Sequence, residues 1–533
     1  MNDTNVKIPL TIGVTGHLNP READLELLRK SVKEELLQIR ARCPHSPVIM
    51  LNALACGADL LCAEVAEELG IPLRAVLPME QAEYEKDFPP EDLERMRRQV
   101  KRAESVFTAP AAEAEPPEEN RDFRYRQAGI YMAEHSHILL ALWDGKEGTE
   151  IGTGGVVRAA LDGAWQPRRG MACRRAENIA VRHIYTPREG DGAEYKKAAI
   201  SPENTAVMEE ILAKTEEFNR LAEEAQAGRG MLLPEDIREA ELVKLDTMYS
   251  VADGLSIRFA RVYRRTLAVL AVLCTLVTLT FLLYDEAELI YMMLACGIAL
   301  LAAILITGAA KRSAGHRRYI EYRMLAEALR VQLYLRCAGS RTEVQRIMTW
   351  TQQQEMPWIL CAMCAVNAVR PPEQTRDIRE IWVENQRKYH EKAAERTRRQ
   401  SGRNNRLLRA AGICAVLLYF GGLVFELLCG GLIFAPSVPV KDAGLWRMIM
   451  KILLGTVSAG TLFLASYYGK MSLERKQTDH GKMKALFTTA GRQMERLGQT
   501  EELLETLARE ELTENGNWCS YQQDNAPELN IYR

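Results

Sequence analysis

Over residues 6 to about 190, short apolar runs alternate with helical patterns, and in the second half of the chain four windows are almost free of charge. These observations predict an α/β domain on a parallel βαβ sheet, followed by an all-α membrane region with four transmembrane helices and cytoplasmic helices. The charge balance narrows the partners. The 533 residues carry 69 Lys+Arg against 71 Asp+Glu, a net charge of −2. With 47% hydrophobic and 26% charged residues, the chain is neither disordered nor collagen-like. No global basic field is present, so nucleic acid is not an expected partner.

The sheet elements follow in order. Ile8–Val14 reads as a buried strand, and Thr15–Pro20 turns into a helix carrying Leu25, Leu28, Val32 and Leu36 on one face. Val48–Leu51, Leu73–Leu77, Ser105–Thr108, Ile138–Trp143 and Val181–Tyr185 supply the further strands. Ala111–Asn120, rich in Pro and Glu, reads as an exposed loop.

Four windows can each cross ~30 Å of hydrocarbon. Thr266 to Tyr284 and Leu289 to Ala310 form a hairpin through the acidic turn Asp285–Glu288; Ala410 to Leu428 and Met448 to Gly469 form a second. Arg258, Arg261, Arg264 and Arg265 precede the first window, and Lys311, Arg312, Arg317 and Arg318 follow the second. Arg398, Arg399, Arg403, Arg406 and Arg409 precede the third, and Lys470, Arg475 and Lys476 follow the fourth. The positive-inside rule then places both termini and the middle segment in the cytoplasm of a multi-pass protein of the cell (inner) membrane. Glu426 lies in the third window, near its outer end, where it is either a functional carboxylate or one that reaches the headgroups. Residues 1–17 lack a basic n-region followed by an apolar h-region, so no cleaved signal is expected.

The twelve cysteines have no framework spacing. Cys361 and Cys364 form a lone CxxC in an apolar segment, which favours packing over metal, and no metal or cofactor is expected. Tyr322, Leu325, Leu329 and Leu333 make an apolar stripe on a basic helix, suited to a bundle or a contact between subunits.

In parallel sheets, ligands bind beyond the carboxyl ends of the strands. Three glycine loops fall there: Gly13-Val14-Thr15-Gly16-His17, Gly57-Ala58-Asp59, and Trp143-Asp144-Gly145 running into Gly152-Thr153-Gly154-Gly155. Glycines let backbone N–H groups approach phosphate oxygens, and a helix N-terminus adds partial positive charge. The candidate ligand-binding residues are therefore Gly13, Thr15, Gly16, His17, Gly57, Asp59, Asp144, Gly145, Thr153, Gly154 and Gly155, with Arg124 as a candidate cation. His17 serves as a loop residue or a catalyst, and Asp144 as a ribose partner or a turn cap. Neither GxGxxG nor GxxxxGK[ST] is present.

At IGVTGH (12–17), Ala55-Cys56-Gly57-Ala58-Asp59, ALWDG (141–145) and GTGG (152–155), the chain resembles the SLOG superfamily, which is related to TRPM-channel heads and LOG nucleotide hydrolases. The resemblance covers about the first 190 residues and implies a Rossmann-like domain that binds nucleotides or nucleotide-derived signals. The later hairpins are similar, more loosely, to the SLATT-type spans of bacterial defence effectors. LOG hydrolases carry PGGxGTxxE; here Gly154-Gly155 continue as Val156-Val157-Arg158-Ala159-Ala160, without the hydrolytic glutamate. The resemblance thus implies sensing rather than catalysis, and no catalytic residue is assigned.

The expected organisation is a nucleotide-sensing domain (1–190), a helical connector (191–265), a first transmembrane hairpin (266–310), a cytoplasmic helical segment (311–408), a second hairpin (409–469) and C-terminal cytoplasmic helices (470–533). The expected function is a homo-oligomeric membrane effector that senses a nucleotide-derived small molecule, contacts membrane lipids and alters permeability, in a bacterial anti-phage defence role. The alternative is a membrane-anchored nucleotide or N-glycoside hydrolase. A transporter is disfavoured by the scarcity of ionisable residues inside the spans.

Overall fold

The computed structural model describes residues 7–110, 121–146, 149, 152–162, 179–188, 205–225, 230–234, 237, 239–372, 374–429 and 441–524. The expected loop Ala111–Asn120 lies outside them. The described residues form two units: Met1–Gly254 with Arg323–Ile378 and Gln499–Gly516, and Leu255–Tyr322 with Arg379–Gly498 and Asn517–Arg533.

The first unit is built on six parallel strands: β1 (Leu10–Gly16), β2 (Val48–Asn52), β3 (Leu73–Leu77), β4 (Ser105–Thr108), β5 (Ile138–Trp143) and β6 (Ala180–Tyr185). Their order is β4-β3-β2-β1-β5-β6, which is the expected α/β, Rossmann-like arrangement. Every residue of β2 and β3 is buried, as in strands covered on both faces. Helices α1 (Leu25–Arg42), α2 (Ala58–Glu68) and α3 (Pro90–Arg102) intervene between successive strands. Leu28, Val32 and Leu36 of α1 are fully buried, three members of the apolar stripe. Helices α4 (Arg121–Glu134) and α5 (Thr153–Asp162) lie before and after β5. Val156, Val157 and Ala160 of α5 join Leu139, Ala141 and Val181 in one apolar cluster.

Helix α6 (Thr205–Glu224) fastens the start of β1: Ile8 N–H donates to Asn219 Oδ1 at 2.8 Å, and Asn219 Nδ2 donates back to Ile8 O at 2.9 Å. Chain from far downstream completes this unit. Helix α10 (Pro357–Asn367) runs into Ala368, which enters a cluster with Leu51, Val76, Phe107 and Tyr131 of the sheet layer. Arg74 Nη1 donates to Ala368 O at 2.9 Å, and Tyr131 Oη donates to Asn367 O at 3.3 Å. Asn367 is itself a buried hub, donating to Gln332 Oε1 and Gln345 Oε1 at 2.7 Å and accepting from Arg336 at 3.0 Å. Such a network is favourable only when each member is satisfied, so it fixes one docking geometry. Cys361 and Cys364 are both buried in α10.

Three helices cross the division: α7 (Ala240–Ala287), which holds the first apolar window, α9 (Gly315–Cys337) and the last helix (Glu501–Asp524). Tyr322, Leu325, Leu329 and Leu333 of α9 are buried within this one chain, so the stripe is not left open for another subunit.

The second unit holds α8 (Tyr291–Arg312), α11 (Asn385–Cys429), α12 (Ala443–Met471) and α13 (Leu473–Leu497); the last helix, α14 (Glu501–Asp524), contributes its end. Four helical stretches, in α7, α8–α9, the segment ending in α11, and α12–α13, are long and apolar enough to span a membrane. Only 17%, 11%, 0% and 0% of their apolar windows is buried. Apolar helices left this bare in water would carry a large hydrophobic cost, which a lipid surround removes. Glu426 is paired: Arg447 Nε donates to its Oε1 at 2.7 Å, and Lys451 Nζ reaches Glu286 at 3.0 Å. These two bonds tie neighbouring helices at the acidic-turn end.

Candidate ligand-binding site

The strand order reverses between β1 and β5, because β1 leads outward to β2 while β5 arrives from the far edge at β4. A crevice is expected where the connections from two such strands diverge. Gly16 pairs with Leu142 in the ladder, and His17 N–H donates to Leu142 O at 3.1 Å, so the first and third glycine loops do meet. The second joins them, with Ala58 N–H donating to His17 O at 3.0 Å.

At this point His17 and Asp144 form a buried pair. The Asp144 backbone nitrogen lies 3.0 Å from His17 Nε2. The Asp144 carboxylate stands 3.2 Å from the same nitrogen, and the two side chains are 5% and 2% exposed. Lys146 N–H donates to Asp144 Oδ1 at 3.1 Å, closing an Asx turn. Arg188 Nε lies 3.0 Å from Asp144 Oδ2 and 3.4 Å from His17 Nε2. Burial opposes ionisation of Asp144, but the Lys146 N–H, His17 and Arg188 outweigh it and hold the carboxyl below the usual carboxylate range. Asp144 is thus a turn-former and an anchor for Arg188, whose own side chain is 44% exposed.

The glycines divide by what surrounds them. A Cβ on Gly13 would sit 2.5 Å from Ser136 Oγ and 3.1 Å from Met132 O; one on Gly16 would strike Ala58 Cβ and come within 3.2 Å of Leu142 Cβ. Gly57, at φ +77° and ψ −115°, would drive a Cβ into Leu18 O and to 2.7 Å from His17 O. These three glycines permit close approach of protein to protein. Gly145 differs: it has φ +77° with nothing among the described residues within 4 Å of an added Cβ. Beyond it, Gly155 and Val156 donate their N–H groups to Gly152 O, which starts α5 at Thr153. Thr153 and Gly155 are half-buried and Gly154 is buried in that first turn. Thr15 is buried within β1.

Asp59 sits beneath this surface. It is 4% exposed at the start of α2, and its Oδ1 has no hydrogen-bond partner. Burial pushes its carboxyl up to about 8, against the Ala55 N–H that favours the charged form. The loop before it is shaped by Asn52, whose Oδ1 accepts from Leu54 N–H at 2.7 Å and whose Nδ2 donates to Asp59 O at 2.8 Å. Leu54 takes φ +60°, a left-handed conformation that a leucine adopts only when its neighbours impose it. A carboxyl raised in the native state favours folding fully below its unfolded value of about 3.9, and that contribution is lost as pH rises towards the folded value. Asp59→Asn should therefore flatten a decline in stability between about pH 4 and pH 8. Thermal unfolding of the purified full chain at pH 5 and pH 8 checks this; the same pH dependence in both proteins would contradict the neutral carboxyl.

Arg124 occupies the first turn of α4, on the connection from β4. The sequence reading missed Arg188 and Asn52. Both sit at the carboxyl edge, Asn52 as the last residue of β2 and Arg188 three residues past β6, so the rule that located the glycine loops extends to them. Among the described residues, no group of three or more His, Cys, Asp or Glu is placed to hold a metal ion. Comparison with protein-family models and with curated proteins finds no match for this chain.

Proposed function

We propose that the protein is a multi-pass effector of the inner membrane, with both termini cytoplasmic, whose SLOG-like head captures a nucleotide-derived small molecule. On this reading the SLATT-like spans, assembled in a homo-oligomer, change membrane permeability in response, as part of an anti-phage defence. The observation that carries the reading is Arg188, held by the buried Asp144 at the β1/β5 reversal. A half-exposed guanidinium, the turn at Gly145 and the helix start at Thr153 share one sheet edge, and each favours an anion. The four unburied apolar helices support the membrane half of the reading. A ligand drives the response only through unequal affinity for two states of the protein. The hydrolase alternative wants a water-accessible acid or base, whereas His17 and Asp144 are shielded and engaged with each other.

The test uses the full chain reconstituted in liposomes, with ADP-ribose, AMP and a cyclic dinucleotide as probes. At least one should bind by titration calorimetry, and Arg188→Glu should weaken it by about tenfold or more, because a charge-assisted contact becomes a repulsion. Dye efflux should follow binding. A panel that binds equally well to the variant would remove the site, and verified binding without efflux would reduce the spans to an anchor.

A further inference from the structure

The ends of β5 and β6 bring three rings together at the carboxyl edge of the sheet. Their parallel register sets Leu139 opposite Val181, Ala141 opposite His183 and Trp143 opposite Tyr185. Side chains alternate along a strand, so these six share one face. Leu139, Ala141 and Val181 cluster with Val156 and Val157 of α5, and Trp143 packs against that cluster, so the face is the one α5 covers. Leu139, Ala141 and Val181 are fully buried, whereas Trp143 and Tyr185, last in their strands, are half-buried.

Hydrogen bonds fix the rings. Trp143 Nε1 donates to Lys146 O at 3.0 Å, and His183 Nε2 donates to Trp143 O at 2.7 Å, since a carbonyl oxygen can only accept. Ring centres are 5.5 Å apart for Trp143 and His183 and 6.5 Å apart for His183 and Tyr185. One polar atom is left over. His183 is 7% exposed, and its Nδ1 is buried with no hydrogen-bond partner among the described residues. With the proton of the neutral ring on Nε2, Nδ1 is an acceptor, and a buried acceptor left unmet is costly.

The neighbours of the rings indicate the occupant. Gly145 follows Trp143 by two residues, and Val156 in the first turns of α5 belongs to the cluster against which Trp143 packs. Arg188, held by Asp144, comes three residues after Tyr185. Aromatic rings beside groups that favour an anion suit a molecule with a flat ring at one end and a phosphate at the other. A hydrocarbon chain would leave His183 Nδ1 unmet.

We propose that Trp143, His183 and Tyr185 form the base subsite of the ligand, with the base stacked against the Trp143 and Tyr185 rings and one of its N–H groups donating to His183 Nδ1. The inference rests on the ligand reading above and deepens it: the head recognises the base as well as the phosphate.

The experiment titrates the purified full chain with AMP, ADP-ribose or a cyclic dinucleotide, and with ribose 5-phosphate, which keeps sugar and phosphate and lacks the base. At least one base-bearing probe should bind about tenfold or more tightly than ribose 5-phosphate by calorimetry. Trp143→Ala should remove most of that preference and leave ribose 5-phosphate binding unchanged, while Trp143→Phe, which keeps a ring, should retain most of it. Tyr185→Ala makes the same comparison from the other ring should Trp143→Ala fail to fold. Ribose 5-phosphate bound as tightly as every base-bearing probe would overturn the subsite and leave the anion site standing. Ring variants that keep the full preference, or that weaken all probes equally, would reduce the rings to packing. No probe bound at all would instead remove the ligand reading itself, and this subsite with it.

Discussion

Gly57→Ala is expected to destabilise the first unit by about 3 kcal/mol or more, the sum of backbone strain and overpacking of about 1–3 kcal/mol each. The conformation at φ +77° and ψ −115° is outside the left-handed well that other residues tolerate, and the new methyl would meet the backbone of His17 and Leu18, which cannot turn aside as a flexible side chain would. Gly145→Ala provides the comparison. It shares φ +77° but has no atom of the described residues within 4 Å of the added carbon, so the backbone term dominates, about 1 kcal/mol. Melting temperatures of the two purified full-length variants should separate clearly. If they fall together, the loop at Gly57 is more compliant than its contacts imply. Because His17 and Ala58 are hydrogen-bonded across this point, the variant should also disturb Arg188 through Asp144.

Glu511→Ala is expected to cost about 3–5 kcal/mol, the range found when one partner of a buried ion pair is removed. Glu511 and Glu327 both bond the Arg330 guanidinium, and all three residues are almost wholly buried. Burial alone would lower the Arg330 pKa; Glu327 and Glu511 overcome it and keep the charge in place. Removing Glu511 leaves the guanidinium with Glu327 alone, a carboxylate that Arg323 also engages. Limited proteolysis of the full chain should then cut within 323–378 or 499–516 at lower protease concentrations than in wild type. Arg330→Met in the Glu511→Ala background should recover part of the loss, since it removes the stranded cation.

The strand Ile138–Trp143 has the bounds its apolar run predicts, because a buried parallel strand needs an unbroken apolar run and a turn at each end, and Leu73–Leu77 and Ser105–Thr108 also fall where expected. The four apolar windows were equally plain, since length and lack of charge are local properties. The glycine loops were visible for a different reason from the one that holds Gly13, Gly16 and Gly57 in place. Sequence shows that a Cβ is avoided, whereas only coordinates show whether protein or ligand fills the space. Leu325, Leu329 and Leu333 announced a helix but not its destination. A period of three and four residues specifies a face, and the surface it covers is a non-local fact. Arg188 was hidden for the same reason: its meaning comes from Asp144, 44 positions earlier, reached by the parallel pairing of β5 with β6.

The first unit is assembled from three stretches of chain, the last of them Gln499–Gly516, and both apolar hairpins are encoded before that stretch. A ribosome adding ~5–20 residues per second therefore finishes the sheet on the order of tens of seconds before it delivers Glu511. During that interval Arg330 is without one of its two carboxylates, while Arg74 and Tyr131 wait for Ala368 and Asn367. Such a nascent head exposes apolar and polar surface together, which is what chaperones hold and proteases clear. Maturation of the head in this way waits on translation through Gly516, past both apolar hairpins, so a chain stopped between the spans and that stretch would carry an unfinished head.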